Sequence, residues 1–376
     1  MDDRTAIEDR LKALIHDHVK TAGMSVMVAG SQGPAYHFHA GAADILHGQP
    51  IGEAHLFGIG SITKIFVAVV VLQLVAEGKL KLTDTVGRLL SAAVYRGIDD
   101  AESATVQQLL CHTAGIDSWE DDPAWLVDGR GEKINLKRQW SKTDALDYLR
   151  RPKVTAPSPG RWYYSNTNYT LLGLIIEQVA SSPAETEVRR RILRPLAMEQ
   201  TFFEGFEEFS QEHVARRYQY ATKPFQEKAG VSPAFSFVEK DIIDVTGTNL
   251  SVSWMAGGMI SHPADLVKFA IALRDGDLLE PPSTALMQSW IPTTLAYHEM
   301  GLGLFRQSPP GQGAWLGHSG GVLGFSAQLW WQEDGPCVVC ILQNVGTVNS
   351  GPVPYGSKGL IQGSEFLNLA SQLVRF

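Results

Sequence analysis

Gly58-Ile59-Gly60-Ser61-Ile62-Thr63-Lys64 puts a lysine one turn beyond a serine, at the head of a run, ITKIFVAVVVLQLVAE, that is apolar on nearly every side. Such a run predicts a buried central helix over 62–77, with Gly78 as its left-handed stop. A buried ammonium is costly unless it has partners. At spacing i, i+3 the Ser61 and Lys64 side chains share a face, and Ser61 sits where free N–H groups and the helix dipole favour negative charge. That environment suits a nucleophilic serine. Ser-x-x-Lys alone says little, because 26 serines and 14 lysines in 376 residues yield about one such match by chance, so the context has to carry the reading.

A second element is Trp162-Tyr163-Tyr164-Ser165-Asn166-Thr167-Asn168-Tyr169, between the turn-rich Pro157-Ser158-Pro159-Gly160 and the apolar helical run LLGLIIEQVA. Tyr164 and Asn166, two apart on an extended segment, project the same way. A phenol beside an ammonium has its pKa of about 10 pulled down, so Lys64 and Tyr164 could together take the serine proton and return it to a leaving group. A third element is Gly317-His318-Ser319-Gly320-Gly321, at the opening of a strand pair. Its paired glycines would let a ligand approach the backbone closely.

Ser-x-x-Lys, Tyr-Ser-Asn and His-Ser-Gly, in this order and at these separations, resemble the penicillin-recognising serine hydrolases of the class C β-lactamase type. That family includes D-alanyl-D-alanine carboxypeptidases, D-aminopeptidases, D-amino acid amidases and β-lactamase-like esterases. Leu109-Leu110-Cys111-His112-Thr113-Ala114-Gly115 and Ala256-Gly257-Gly258-Met259-Ile260-Ser261 are similar to two further family segments, and the likeness runs from about residue 23 to 344. The resemblance implies a β-lactamase/transpeptidase-like α/β (α+β) fold, with an antiparallel sheet flanked by N- and C-terminal helices and a mainly helical lobe. It implies catalysis by Ser61, Lys64 and Tyr164, with Asn166 positioning either substrate amide or Lys64. Substrate contacts would come from Asn166, His318, Ser319 and Gly320. The oxyanion hole would be the N–H groups of Ser61 and Gly321, the latter carried over from the family motif. No metal or organic cofactor is required.

His318 stands where most β-lactamases of this type have lysine. A lysine there offers a fixed positive charge to a substrate carboxylate, whereas histidine is mostly neutral near pH 7. The expectation is therefore hydrolysis of amide, peptide or ester bonds in small substrates, possibly D-amino acid derivatives, with His318 at the rim of the site. An esterase or acyltransferase is the same-class alternative, and a catalytically silent scaffold the alternative of another class.

Composition agrees with an ordinary globular protein: 44% hydrophobic and 19% charged residues, with a net charge of −8. The negative charge argues against nucleic acid and anionic membrane partners, leaving a small-molecule or short-peptide substrate. Oligomeric state is not legible. The acidic N-terminus reads as an amphipathic helix ended by Gly23, not as a signal peptide, so the expected location is cytoplasmic. Three cysteines supply no disulfide framework, and Cys337 and Cys340 on a strand point to opposite faces. His37 and His39 read as exposed strand histidines, and Arg189-Arg190-Arg191 as a solvated helix face.

Along the chain, two strands lie around the turn Ser31-Gln32-Gly33-Pro34. Helical patterns follow at 62–77, 84–90, 105–111, 143–150, 168–180, 184–194 and 264–274, then strands near 302–306, 323–332 and 337–343 and a closing helix over 364–376. Strands at both ends of the chain imply a discontinuous α/β lobe from 1–58 and 295–376, a helical lobe from 59–294, and an active site between them. The loop Trp119-Glu120-Asp121-Asp122-Pro123-Ala124-Trp125 could line that cleft or simply anchor itself by its two tryptophans.

Overall fold

Strands from the two ends of the chain do meet in one sheet. The computed structural model describes residues 3–19, 22–31, 33–353 and 356–375, so Gln32 of the expected turn and Phe376 of the closing helix lie outside the described residues. The strands are β1 (Met24–Gly30), β2 (Gly33–Ala40), β3 (Ile291–Pro292), β4 (His298–Met300), β5 (Phe305–Gln307), β6 (Trp315–Val322), β7 (Phe325–Gln332) and β8 (Val338–Gln343). Their order across the sheet is β3-β4-β5-β6-β7-β8-β1-β2, antiparallel throughout.

Every residue of β1 and of β8 is buried, which means that both faces of the sheet are covered. Helix α1 (Asp3–His18) packs with α7 (Ser357–Gln362) and α8 (Ser364–Leu373), and α7 lies on β7 and β8. Helix α6 (Pro263–Asp275) packs on β1, β7 and β8, although the sequence pattern assigned it to the helical lobe.

The apolar run is helix α2 (Thr63–Ala76), with Gly78 at φ +70° behind it. Its Val and Ile residues are mediocre helix formers, so tertiary burial, not propensity, holds it. Residues 65–72 are all fully buried, and Phe66 stacks on Phe269 of α6 with ring centroids 3.7 Å apart. Around α2 gather α3 (Val106–Leu110), α4 (Asn166–Ala180) and α5 (Trp254–Gly257). Apolar residues of α2, of these helices and of the sheet belong to one continuous core.

Two expectations are corrected. The arginine triplet is not a solvated face: Arg189 pairs with Glu207, and Arg190 and Arg191 pair with Glu187. Arg191 also binds Glu77 and is nearly buried. His37 and His39 are half-buried, not exposed, with rings 4.2 Å apart, and burial lowers the His37 imidazole to about 4. Among the described residues no group of three or more His, Cys, Asp or Glu is arranged to hold a metal ion. No helix among them is long and apolar enough to cross a membrane.

Candidate active site

Residues 59–61 and strand β6 meet backbone to backbone, which only glycine allows. A Cβ on Gly320 would lie 1.9 Å from the Ile59 carbonyl oxygen, and one on Gly60, whose φ is +51°, would lie 2.5 Å from the Gly321 nitrogen. Gly320 thus serves close packing of the strand on the serine turn. The motif expected to open a strand lies inside one: β5 pairs with β6 only from Trp315 to Gly317. From His318 onward that edge of β6 has no strand partner among the described residues and runs beside Ser61.

Ser61 occupies a single 3₁₀ turn, Gly60–Ile62, and is partly exposed, whereas Lys64 on the first turn of α2 is 0% exposed. Lys64 Nζ lies 3.0 Å from Ser61 Oγ, 2.6 Å from Asn166 Oδ1 and 2.5 Å from the Ala256 carbonyl oxygen. Three acceptors match the three protons of an ammonium. If one proton is lost, Asn166 and Ala256 still hold the remaining two, and the nitrogen lone pair faces the serine hydroxyl. Burial pulls Lys64 down from 10.5 to about 7, against a weaker opposing pull from the Glu120 carboxylate.

Tyr164 comes from the extended segment before α4, and Asn166 opens that helix. The Lys64 ammonium sits 4.9 Å from the Tyr164 ring centroid. The expected lowering of the phenol is reversed, because burial pushes it above its ordinary value of 10 and a nearby Ser61 only partly counters this. Its hydroxyl closes no hydrogen bond in the resting arrangement. Such contacts commonly tighten only once substrate is bound.

His318 is buried, not at a rim: 3% exposed, 4.9 Å from the Phe305 ring and 6.0 Å from the Tyr164 ring. Its Nδ1 lies 2.5 Å from the Ser319 carbonyl, so Nδ1 carries the proton and Nε2 is left as an acceptor. Burial, with Lys64 adding repulsion, lowers the imidazole to about 3, so it is neutral at any ordinary pH. The Ser319 side chain turns to Gln328 Oε1, 2.8 Å away.

Three groups had no assigned role in the sequence. Glu120 accepts a hydrogen bond from Asn166 Nδ2 and pairs with the buried Arg130, which also binds Asn349. A polar chain therefore runs from Ser61 through Lys64, Asn166 and Glu120 to Arg130. Trp119 and Trp125 on either side are buried anchors with rings 4.7 Å apart, so this loop contributes its carboxylate rather than its indoles. His112, in the left-handed region at φ +60°, accepts the Ser165 N–H on Nδ1 at 3.1 Å and lies 4.3 Å from the Tyr164 ring. Its carbonyl takes the Tyr163 N–H at 2.8 Å, so one residue clamps the tyrosine segment from both sides. The Ala256 carbonyl holds the lysine. The His-Thr-Ala-Gly and Ala-Gly-Gly segments were the available signals for the last two groups, but only the fold shows what they touch.

The chain is similar to penicillin-binding protein 4* of Bacillus subtilis (strain 168), 26% identical over 316 residues that make up 81% of this chain and 64% of that one. It spans roughly half to just under two thirds of the length of the curated relatives it matches. Among solved structures it is similar to a D-stereospecific amidohydrolase from Streptomyces sp., with TM-score 0.77, 28% identity, and 92% and 95% of the two chains covered. It is also similar to the D-amino acid amidase from Ochrobactrum anthropi SV3, with TM-score 0.83, 26% identity, and 98% and 99% covered. These likenesses extend over both the sheet and the helices that carry Ser61, Lys64 and Tyr164, and the sequence model of one family matches residues 11–353: the chain belongs to the Beta-lactamase family.

Proposed function

We propose that this protein is a serine hydrolase acting through an acyl-enzyme on Ser61, with short amides or peptides of D-configured amino acids as its substrates. The observation that carries the reading is the buried Lys64 amine, 3.0 Å from Ser61 Oγ and lowered to about 7. Neutral Lys64 takes the serine proton as Oγ attacks the carbonyl carbon. Tyr164, a neutral phenol, gives its proton to the departing nitrogen or oxygen, and the Lys64 ammonium then restores it. The N–H groups of Ser61 and Gly321 receive the developing oxyanion, a contribution of about 3 kcal/mol per donor in comparable sites. Water completes the cycle by the same proton path in reverse.

The D-amino acid preference draws on the two solved structures named above, both of enzymes whose names specify D-substrates. A neutral, buried His318 supports it by offering no positive charge to a carboxylate at that position. The decisive experiment is intact mass after incubation with a fluorophosphonate, together with turnover of D-alanine amide, a D-Ala-D-Ala peptide, a short p-nitrophenyl ester and nitrocefin. The reading expects one adduct on Ser61, none on Ser61→Ala, and faster cleavage of the D-amide or D-peptide than of nitrocefin. An adduct on another serine refutes the nucleophile, and nitrocefin as the best substrate replaces the amidase reading with a lactamase.

A further inference from the structure

A groove of about 1020 Å³ opens beside Tyr164, lined by that residue, Arg161, Trp162, Tyr163, Asp121 and the 291–294 segment. Its size matters because the D-amide substrates of the reading above release only ammonia, which occupies no more room than a water, about 30 Å³. A cavity of this size instead fits a ligand of many heavy atoms. Its position matters too. Tyr164 protonates the departing atom in the proposed mechanism, so whatever departs lies on the tyrosine's side.

The walls are largely apolar and aromatic, and they carry one unsatisfied charge. Fourteen of the chain's arginines are in ion pairs with carboxylates, from Arg4 to Arg306. Arg161 has no such partner among the described residues, and its side chain is exposed at the groove. The one acid in the lining, Asp121, is engaged by the Tyr163 hydroxyl at 2.9 Å, and burial raises its carboxyl above the usual range. Arg161 lies three residues before Tyr164 on an extended segment, which separates the two by about 10 Å along the chain. Two peptide residues span about 7 Å when extended, and an arginine side chain covers the remainder.

Resting on the acyl-enzyme reading, we propose that this groove is a subsite for a peptide leaving group of about two residues with apolar side chains, whose terminal carboxylate is received by the Arg161 guanidinium. The substrate is then a short peptide with a free C-terminus rather than a simple amide. In the forward step the peptide C–N bond breaks as the Ser61 ester forms, and Tyr164 supplies the proton to the new amine. By microscopic reversibility a dipeptide can enter the same groove and attack the acyl-enzyme. Its neutral amine forms a C–N bond, the Ser61 ester bond breaks, and the surplus amine proton returns through Tyr164 and Lys64 to Ser61 Oγ.

That reverse step reads the groove without knowledge of the natural acyl group. Ser61 is acylated from the p-nitrophenyl ester that releases nitrophenol fastest, and glycyl-phenylalanine or glycyl-phenylalanine amide is offered as acceptor at pH 8.5, with transfer product quantified by mass spectrometry. The free acid should intercept the acyl-enzyme at about five- to tenfold lower concentration than the amide, as one arginine–carboxylate contact would give. Arg161→Gln should abolish that preference, Arg161→Glu should invert it, and Arg161→Lys should keep part of it. Equal interception by both dipeptides, a preference that survives Arg161→Gln, or no interception despite acylated Ser61 overturns the subsite while leaving the acyl-enzyme in place. Absence of any Ser61 acylation overturns both readings.

Discussion

Replacing Lys64 by methionine tests the central electrostatic claim through stability, independently of any substrate. Methionine has similar length and carries no charge, so the variant differs from the wild type chiefly in a proton the native wild-type site binds weakly. In the unfolded chain Lys64 keeps its ordinary value of 10.5, and in the native state it lies at about 7. Below pH 7 both states hold the proton, and the cost of burying the charge is present in full. Between pH 7 and 10.5 the unfolded state binds one proton more than the native state. The wild type therefore gains stability as pH rises, at about 1.36 kcal/mol per pH unit once the native amine is neutral. Because the amine is only half neutral at pH 7, the gain from pH 7 to pH 9 is about 2 kcal/mol. The lost hydrogen bonds to Asn166 and Ala256 displace the variant's curve by an amount that does not depend on pH. Urea unfolding of both proteins at pH 7, 8 and 9 gives the comparison. The wild type should gain about 2 kcal/mol on Lys64→Met across this range. Parallel stability curves would mean that the buried lysine keeps an ordinary affinity for its proton, and Lys64 as base would be refuted.

The same shift predicts that kcat/KM for an activated ester rises with pH and levels off above an apparent value near 7, since only neutral Lys64 can accept the serine proton. A flat profile from pH 5 to 9 contradicts it. Lys64→Ala and Tyr164→Phe should each lower kcat by about 10²-fold or more, and the double variant should lose much less than the product of the two. Fully multiplicative losses would show two independent groups. His318→Lys should be neutral or harmful for D-amides and esters, because it buries a second ammonium close to Lys64 where a neutral ring now packs on Phe305. A gain in kcat/KM for an amide substrate would count against that account.

The central helix was legible because nothing but burial explains eight consecutive apolar residues after a lysine, and the structure buries residues 65–72 completely. The strands at the two ends of the chain were legible by their period and their apolar runs, as were Ser61, Lys64, Tyr164 and Asn166 as members of one constellation. Spacing along a helix is a local property, so the Ser61–Lys64 pair needs only the 3.6-residue turn. The contacts that set the proton affinities are not local. Asn166 lies 102 residues from Lys64, and Ala256 lies 192 residues away. The expected lowering of Tyr164 failed for that reason: charge proximity was guessed from motif order, whereas the desolvation that dominates depends on His112, Phe305 and His318 packing around the ring.

The amino-acid sequence by itself determined that a serine and a lysine share the first turn of a buried helix, that a tyrosine and an asparagine precede a second helix, and that strands at both ends of the chain make up one sheet. These follow from side-chain periodicity and from the cost of exposing apolar surface, which any fold of the chain must satisfy. Only the tertiary structure decided that Gly320 and Gly60 exist to let strand and serine turn touch, that Glu120 closes the polar chain behind Asn166, and that His318 is buried and neutral. It alone also leaves Arg161 unpaired at the end of a groove beside Tyr164. Each of these depends on which distant groups displace water from a given atom, and desolvation is a property of the assembled surroundings that sequence neighbours do not encode.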